Sequence, residues 1–127
     1  MLFRSTKQAN RLLQSETATT EGRTVVSNYY EALNKKDYHG AYRYLSARAM
    51  ERYGTFELWE QAMTKEEVPK VKAIQLDYVS QDQDDDIVVN YMGFTVTFED
   101  KSEPLLVRLH NEGKGWGIVA IEAMEED

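Results

Sequence analysis

Few residues in this 127-residue chain could do chemistry, and none completes a catalytic or metal-binding pattern. There are two histidines, His39 and His110. An imidazole serves as base or metal ligand when an acid or a second histidine stands at ligand spacing. His39 follows Tyr38 at a helix start and His110 sits beside Asn111 at a strand end, so both read as solvated side chains. The run Asp82-Gln83-Asp84-Asp85-Asp86 places carboxylates at alternate positions, as hard cations require. An EF-hand loop opening at Asp82 needs glycine near position six and glutamate at position twelve, where the chain offers Ile87 and Gly93. The run therefore reads as a solvated acidic turn, and no metal is assigned. The absence of cysteine excludes a disulfide framework, a thiolate metal site and a cysteine nucleophile. No catalytic residue and no cofactor is expected. What remains is mostly aromatic: Tyr29, Tyr30, Tyr42, Trp59, Phe94 and Trp116 with Met92, and Asn90 as a polar group among them. Such a set can wall a small apolar ligand or simply fill a core.

The elements that must position these residues fall into two halves. Up to about Thr64 the apolar residues recur at helical spacing, and from Val71 onward they alternate. A helix opening at Gly22 or Thr24 carries the stripe Val25, Val26, Tyr29, Tyr30 and Leu33, and ends at Asn34-Lys35-Lys36. Asp37 caps a short helix bearing Tyr38, Ala41, Tyr42 and Leu45. Ser46 caps a further turn through Met50 and Tyr53, stopped by Gly54. Thr55 caps a helix whose Phe56, Trp59 and Met63 share a face. Pro69 then separates the helical half from the sheet half.

The strands read as a meander. Val71–Ser80 places Ile74, Leu76 and Tyr78 on one face, and Gln81–Asp86 turns the chain. Ile87–Phe98 carries Gly93 at its middle, where a bulge or bend lets the sheet curl. Glu99–Glu103 turns again before Pro104, and Leu105–His110 pairs with Trp116–Glu122 around Glu112-Gly113-Lys114-Gly115. Helices followed by an antiparallel meander give an α+β fold with the helices on one face of a curved sheet.

The long strand is apolar on both faces. Val88, Met92, Phe94, Val96 and Phe98 point one way, and Ile87, Val89 and Tyr91 the other. The last strand sets Trp116, Ile118 and Ala120 against Val119 and Ile121. An antiparallel sheet with one wet face alternates polar and apolar. The second apolar face, built from Ile87, Val89, Tyr91, Val119 and Ile121, is expected to meet a second copy of the chain across a two-fold axis.

Three stretches resemble the NTF2-like (cone-fold) superfamily, which includes ketosteroid isomerase-like and SnoaL-like enzymes. They are Val25–Tyr38 as the opening helix with its step into the next, Thr55-Phe56-Glu57-Leu58-Trp59 as the helix at the cone mouth, and Leu106–Ile121 as the closing hairpin, notably Glu112-Gly113-Lys114-Gly115-Trp116-Gly117-Ile118. The likeness runs from about Gly22 to Ala123 and is closest to noncatalytic bacterial lumazine-binding-like or DUF4878-like domains. It implies a cone lined by Tyr29, Tyr42, Trp59, Asn90, Phe94 and Trp116. Enzymes of this fold pair a pocket acid with a hydroxyl donor. That alternative points to Asp77 with Tyr29, Tyr42 or Tyr91, although Asp77 is equally an edge-strand surface residue.

The length suits one domain, expected over 22–127, with 1–21 as a basic segment and linker, the linker reading resting on the Thr- and Glu-rich stretch Ser15 to Gly22. Arg4, Lys7 and Arg11 make residues 1–15 basic, and with Leu2, Phe3, Leu12 and Leu13 they could touch a membrane surface, but a frayed terminal helix is the plainer reading. A net charge of −7 argues against nucleic acid. No apolar run is long enough to span a bilayer and no secretory signal opens the chain. The expectation is a cytoplasmic, homodimeric, noncatalytic module for a small ligand or a protein partner, with an extracytoplasmic domain that has lost its signal or anchor as the alternative location.

Overall fold

A computed structural model describes residues 6–66, 68–84, 87–111 and 115–123, and of residues 6–18, 83, 84 and 87 the backbone only. Among the described residues the order is α1 (Thr6–Asn34), α2 (Tyr38–Tyr42), α3 (Ala47–Tyr53), α4 (Phe56–Glu66), then β1 (Val71–Asp84), β2 (Ile87–Phe98), β3 (Ser102–Asn111) and β4 (Trp116–Ala123). The strands make one antiparallel sheet in the order β1-β2-β3-β4. The fold is α+β, as the sequence pattern requires.

The helix starts are local chemistry. The Asp37 carboxylate accepts from the Gly40 N–H, the Ser46 hydroxyl from Ala49 and the Thr55 hydroxyl from Leu58, which satisfies backbone donors left open at each first turn. Gly54 ends α3 at a φ of 94°. Lys36 leaves α1 through a φ of 59°, an uncommon conformation for a side chain with a Cβ.

Two expectations are corrected here. The first helix does not open at Gly22 or Thr24; α1 runs unbroken through the stretch expected to be a linker, Ser15 to Gly22. Helix propensity is a weak prior, and a threonine hydroxyl can be satisfied within the helix, as the Thr24 hydroxyl donates to the Thr20 carbonyl. Gly22 is already buried in the fold. The expectations for Leu2, Phe3 and Arg4, and for the side chains of Lys7, Arg11, Leu12 and Leu13, lie outside the described residues. The second correction concerns Gln81–Asp86. Gln81 to Asp84 continue β1, in register with Asn90 to Ile87, because an edge strand tolerates charges that face water.

Three register shifts shape the sheet. On β1, Lys72 and Asp77 are extra residues between the regular pairs. Asp77 bulges opposite Gly93, so the irregularity expected at the glycine falls on the neighbouring strand. It also moves Tyr78 off the face of Ile74 and Leu76: Leu76 pairs with the inward Phe94, and Tyr78 pairs with Gly93. The Tyr78 ring lies where a Cβ on Gly93 would sit. On β4, Val119 is the extra residue, since Leu109 pairs with Ile118 and Arg108 with Ala120.

The core lies between the helices and the inner sheet face. Met92, Phe94, Val96, Val107 and Leu109 are fully buried there, beneath Val26, Tyr29 and Tyr30 of α1 and Trp59 and Met63 of α4. Each such side chain stabilises the fold by about 1.5–3 kcal/mol on burial. The outer edge of β4 is covered in passing: the Ile118 N–H donates to the Tyr44 carbonyl at 2.8 Å and the Ser46 N–H to the Ile118 carbonyl at 2.9 Å. Gly117 permits this approach, because a Cβ there would stand 2.7 Å from the Ser46 Cα.

Candidate functional site

The stripe on α1, the end of α3, the inner face of α4 and the bulged part of β4 enclose a cleft of about 360 Å³. Tyr29, Tyr30 and Leu33 come from α1, Tyr53 and Arg52 from α3, Trp59, Met63 and Glu66 from α4, and Val119 and Ile121 from β4. The β4 bulge builds one wall. Ile118 faces the core opposite Leu109, the inserted Val119 shifts the alternation by one, and Ile121 then returns to the inner face opposite Val107. Without the extra residue Ile121 would point away from the helices.

The walls are aromatic and aliphatic, with charge supplied by Arg52, Glu66 and Glu122. Two phenols are sunk among them, Tyr29 at 4% exposure and Tyr30 at 6%. They meet edge to face, ring centroids 5.5 Å apart. The Tyr29 hydroxyl donates to the Met63 sulfur at 3.9 Å, a weak acceptor. Burial first, then the negative charge available to Tyr30, Tyr53 and Glu66, holds the Tyr29 phenol well above its ordinary range, against a hydrogen bond with Trp59 that acts the other way. Burial, with Glu103 behind it, does the same for Tyr30. Both phenols are therefore neutral hydrogen-bond donors across the physiological range.

Of the six residues expected to line a cone, the structure brings Tyr29 and Trp59 to the cleft. Asn90 and Phe94 have no exposed surface and are packed inside the domain, where the Asn90 side-chain oxygen accepts from Gln81 at 3.1 Å. Tyr42 is half-buried against Phe56 and Trp59, ring centroids 5.2 Å away in each case. Trp116 is half-buried at the start of β4 and packs on the core from outside the cleft lining. These four were placed by periodicity and by the resemblance, which give the inner face but not the depth of filling. Arg52, Glu66, Val119 and Ile121 carried no signal for the cleft in the sequence, because they converge only in three dimensions.

The surface expected to pair with a second copy is corrected in two of its five residues. Val119 and Ile121 line the cleft. Val89 and Tyr91 do lie on the outer face, opposite His110 and Arg108 on β3, with Val89 buried and Tyr91 half-buried. The Ile87 side chain lies outside the described residues. His110 is also corrected: it is buried, at 7% exposure. His39 is exposed and stacks on Phe56 at a centroid distance of 4.0 Å.

Asp77 points to the outer, exposed side of the sheet, where its carboxylate accepts from the Thr95 hydroxyl at 2.6 Å. It therefore forms no acid–phenol pair with Tyr29 in the cleft. Comparison with known proteins finds no matching family model and no significant match among curated proteins or solved structures. No helix among the described residues is long and apolar enough to cross a membrane.

Proposed function

We propose that this chain is a noncatalytic binding module of the NTF2-like type, and that its cleft holds a small, largely apolar ligand carrying a neutral oxygen acceptor. The observation that carries the reading is the pairing of two buried, protonated phenols with apolar walls in one cleft. Apolar surface with a few fixed polar groups is what retains and orients such a ligand. The interior beyond is filled by Met92, Phe94 and Asn90, which favours a shallow binding site over a deep reaction chamber. The isomerase alternative rests on Asp77, which faces outward and bonds Thr95 instead.

The test uses an uncharged solvatochromic naphthalene dye. The wild-type protein is expected to bind it with a blue-shifted emission. Ile121→Trp, at a half-buried position in the wall, is expected to fill the cleft and abolish the shift while the melting curve stays cooperative. Equal dye binding by wild-type and variant rejects the cleft as the site.

Self-association is a second reading, supported by the apolar part of the outer face that survives: Tyr78 at 43% exposure with half-buried Tyr91 and Leu106.

A further inference from the structure

A groove larger than the cleft lies elsewhere among the described residues. A space of about 700 Å³ runs along β1, between Arg23, Thr24, Ser27 and Asn28 of α1 and the stretch Ala73–Leu76, and reaches Thr95 and Thr97. Independently of the cleft, we propose that this groove accepts an extended acidic peptide from another protein, which adds to β1 as a short fifth strand.

Four observations carry this. First, β1 is an edge strand, paired on one side only, and an open edge offers backbone N–H and C=O groups to any extended chain. Second, the regular pairs Ala73–Thr97, Ile74–Val96, Gln75–Thr95 and Leu76–Phe94 are bracketed by the extra residues Lys72 and Asp77. Bulges interrupt a regular edge, so the stretch that lines the groove is set apart from the rest of β1, where pairing resumes from Tyr78 to Asp84. A short insertion fits between the two bulges. Third, the chain already completes its edges with peptide-like groups. The Asn34 amide donates to the Val71 carbonyl at 2.8 Å and its oxygen accepts from the Val71 N–H at 2.9 Å, and the Tyr44–Ser46 backbone covers Ile118 on the opposite edge. The groove begins where the Asn34 cover stops. Fourth, Arg23 is the single charged residue among the described residues that line the groove.

The occupant follows from these features. Backbone pairing supplies affinity with little sequence demand, and alternate side chains supply selectivity. Residues on the inner side would meet half-buried Ile74 and Leu76, so they should be apolar. An acidic residue beside Arg23 would meet the charge that the groove lining offers.

The experiment titrates the full chain against a short fluorescent peptide of alternating valine and glutamate, read by anisotropy. Two companion peptides carry lysine in place of glutamate, or N-methyl groups on alternate amides. The acidic peptide is expected to bind one to one, with the lysine peptide weaker by roughly tenfold or more, about 1.4 kcal/mol. The N-methylated peptide should lose binding, because it keeps its side chains but cannot pair. Ser27→Trp, at an exposed groove position, should abolish binding with unchanged melting, and Arg23→Glu should reverse the charge preference. Binding by the N-methylated peptide, full affinity in Ser27→Trp, or no binding at millimolar peptide each overturns the proposal. So does a wild-type dimer that Ser27→Trp splits, which would assign the edge to a second copy.

Discussion

Tyr29 and Tyr30 show how much one residue type can do once its surroundings are fixed. Both rings belong to the core and both residues line the cleft. Burial raises the two phenols far above the ordinary value of 10.0, so a stability-versus-pH signature follows. In the unfolded chain the phenols release protons near pH 10, whereas in the folded chain they keep them. Above that pH the folded state binds more protons than the unfolded state, and stability falls as pH rises. The contribution is fully present below about pH 10 and is lost as pH climbs toward the raised folded values, with a limiting slope of about 1.4 kcal/mol per pH unit for each phenol. Denaturant unfolding between pH 8 and pH 11 checks this. Tyr29→Phe is expected to flatten the alkaline limb, and an unchanged limb in both Tyr→Phe variants would place the titrating group elsewhere.

Among the elements, the contact of α1 with β1 is the most specific junction. Asn34 ends α1 and bonds both backbone groups of Val71, at 2.8 and 2.9 Å. Asn34→Ala removes both bonds and should cost about 1–3 kcal/mol, at roughly 0.5–1.5 kcal/mol for each net hydrogen bond. Asn34→Asp keeps the acceptor for the Val71 N–H and should cost less. Amide exchange at Val71 separates the two, fast in the alanine variant and still protected in the aspartate variant. Slow exchange in both would mean that the junction does not depend on the side chain. Local chemistry of this kind is legible in a sequence: Asp37, Ser46 and Thr55 announce their caps, and the Val26-Tyr29-Tyr30 stripe announces the buried face of α1. A bulge is not legible. The pattern Trp116, Ile118, Ala120 is right until Val119 adds one residue to β4, after which Ile121 faces inward and Ala120 pairs opposite Arg108. That parity change moves Val119 and Ile121 from a supposed dimer patch into the cleft. The extension of α1 through Ser15–Gly22 is hidden for another reason: its threonines are weak helix formers until the rest of the helix holds them.

At the scale of the whole molecule, three surfaces are proposed for partners: the cleft, the β1 edge and the outer sheet face. The outer face is the one on which self-association can be tested cleanly, because its residues are now separated from those of the cleft. Val119 is 4% exposed and lies against the cleft. Val119→Glu therefore buries an uncompensated charge, and the whole fold should lose about 3–5 kcal/mol. Tyr91 sits on the other side of the sheet, half-buried, paired with Ser80 and Arg108. Tyr91→Glu puts a carboxylate where Arg108 and solvent can receive it, so each monomer should stay folded. Across an isologous interface the same charge would face its own copy and the dimer should separate. Sedimentation velocity with a parallel thermal melt distinguishes the two outcomes. The expected pattern is a wild-type dimer, a folded Tyr91→Glu monomer, and a Val119→Glu protein with a lowered melting temperature. A wild-type chain that sediments as a monomer at micromolar concentration would remove self-association and leave exposed Tyr78 and half-buried Tyr91 and Leu106 as apolar residues of an ordinary protein surface.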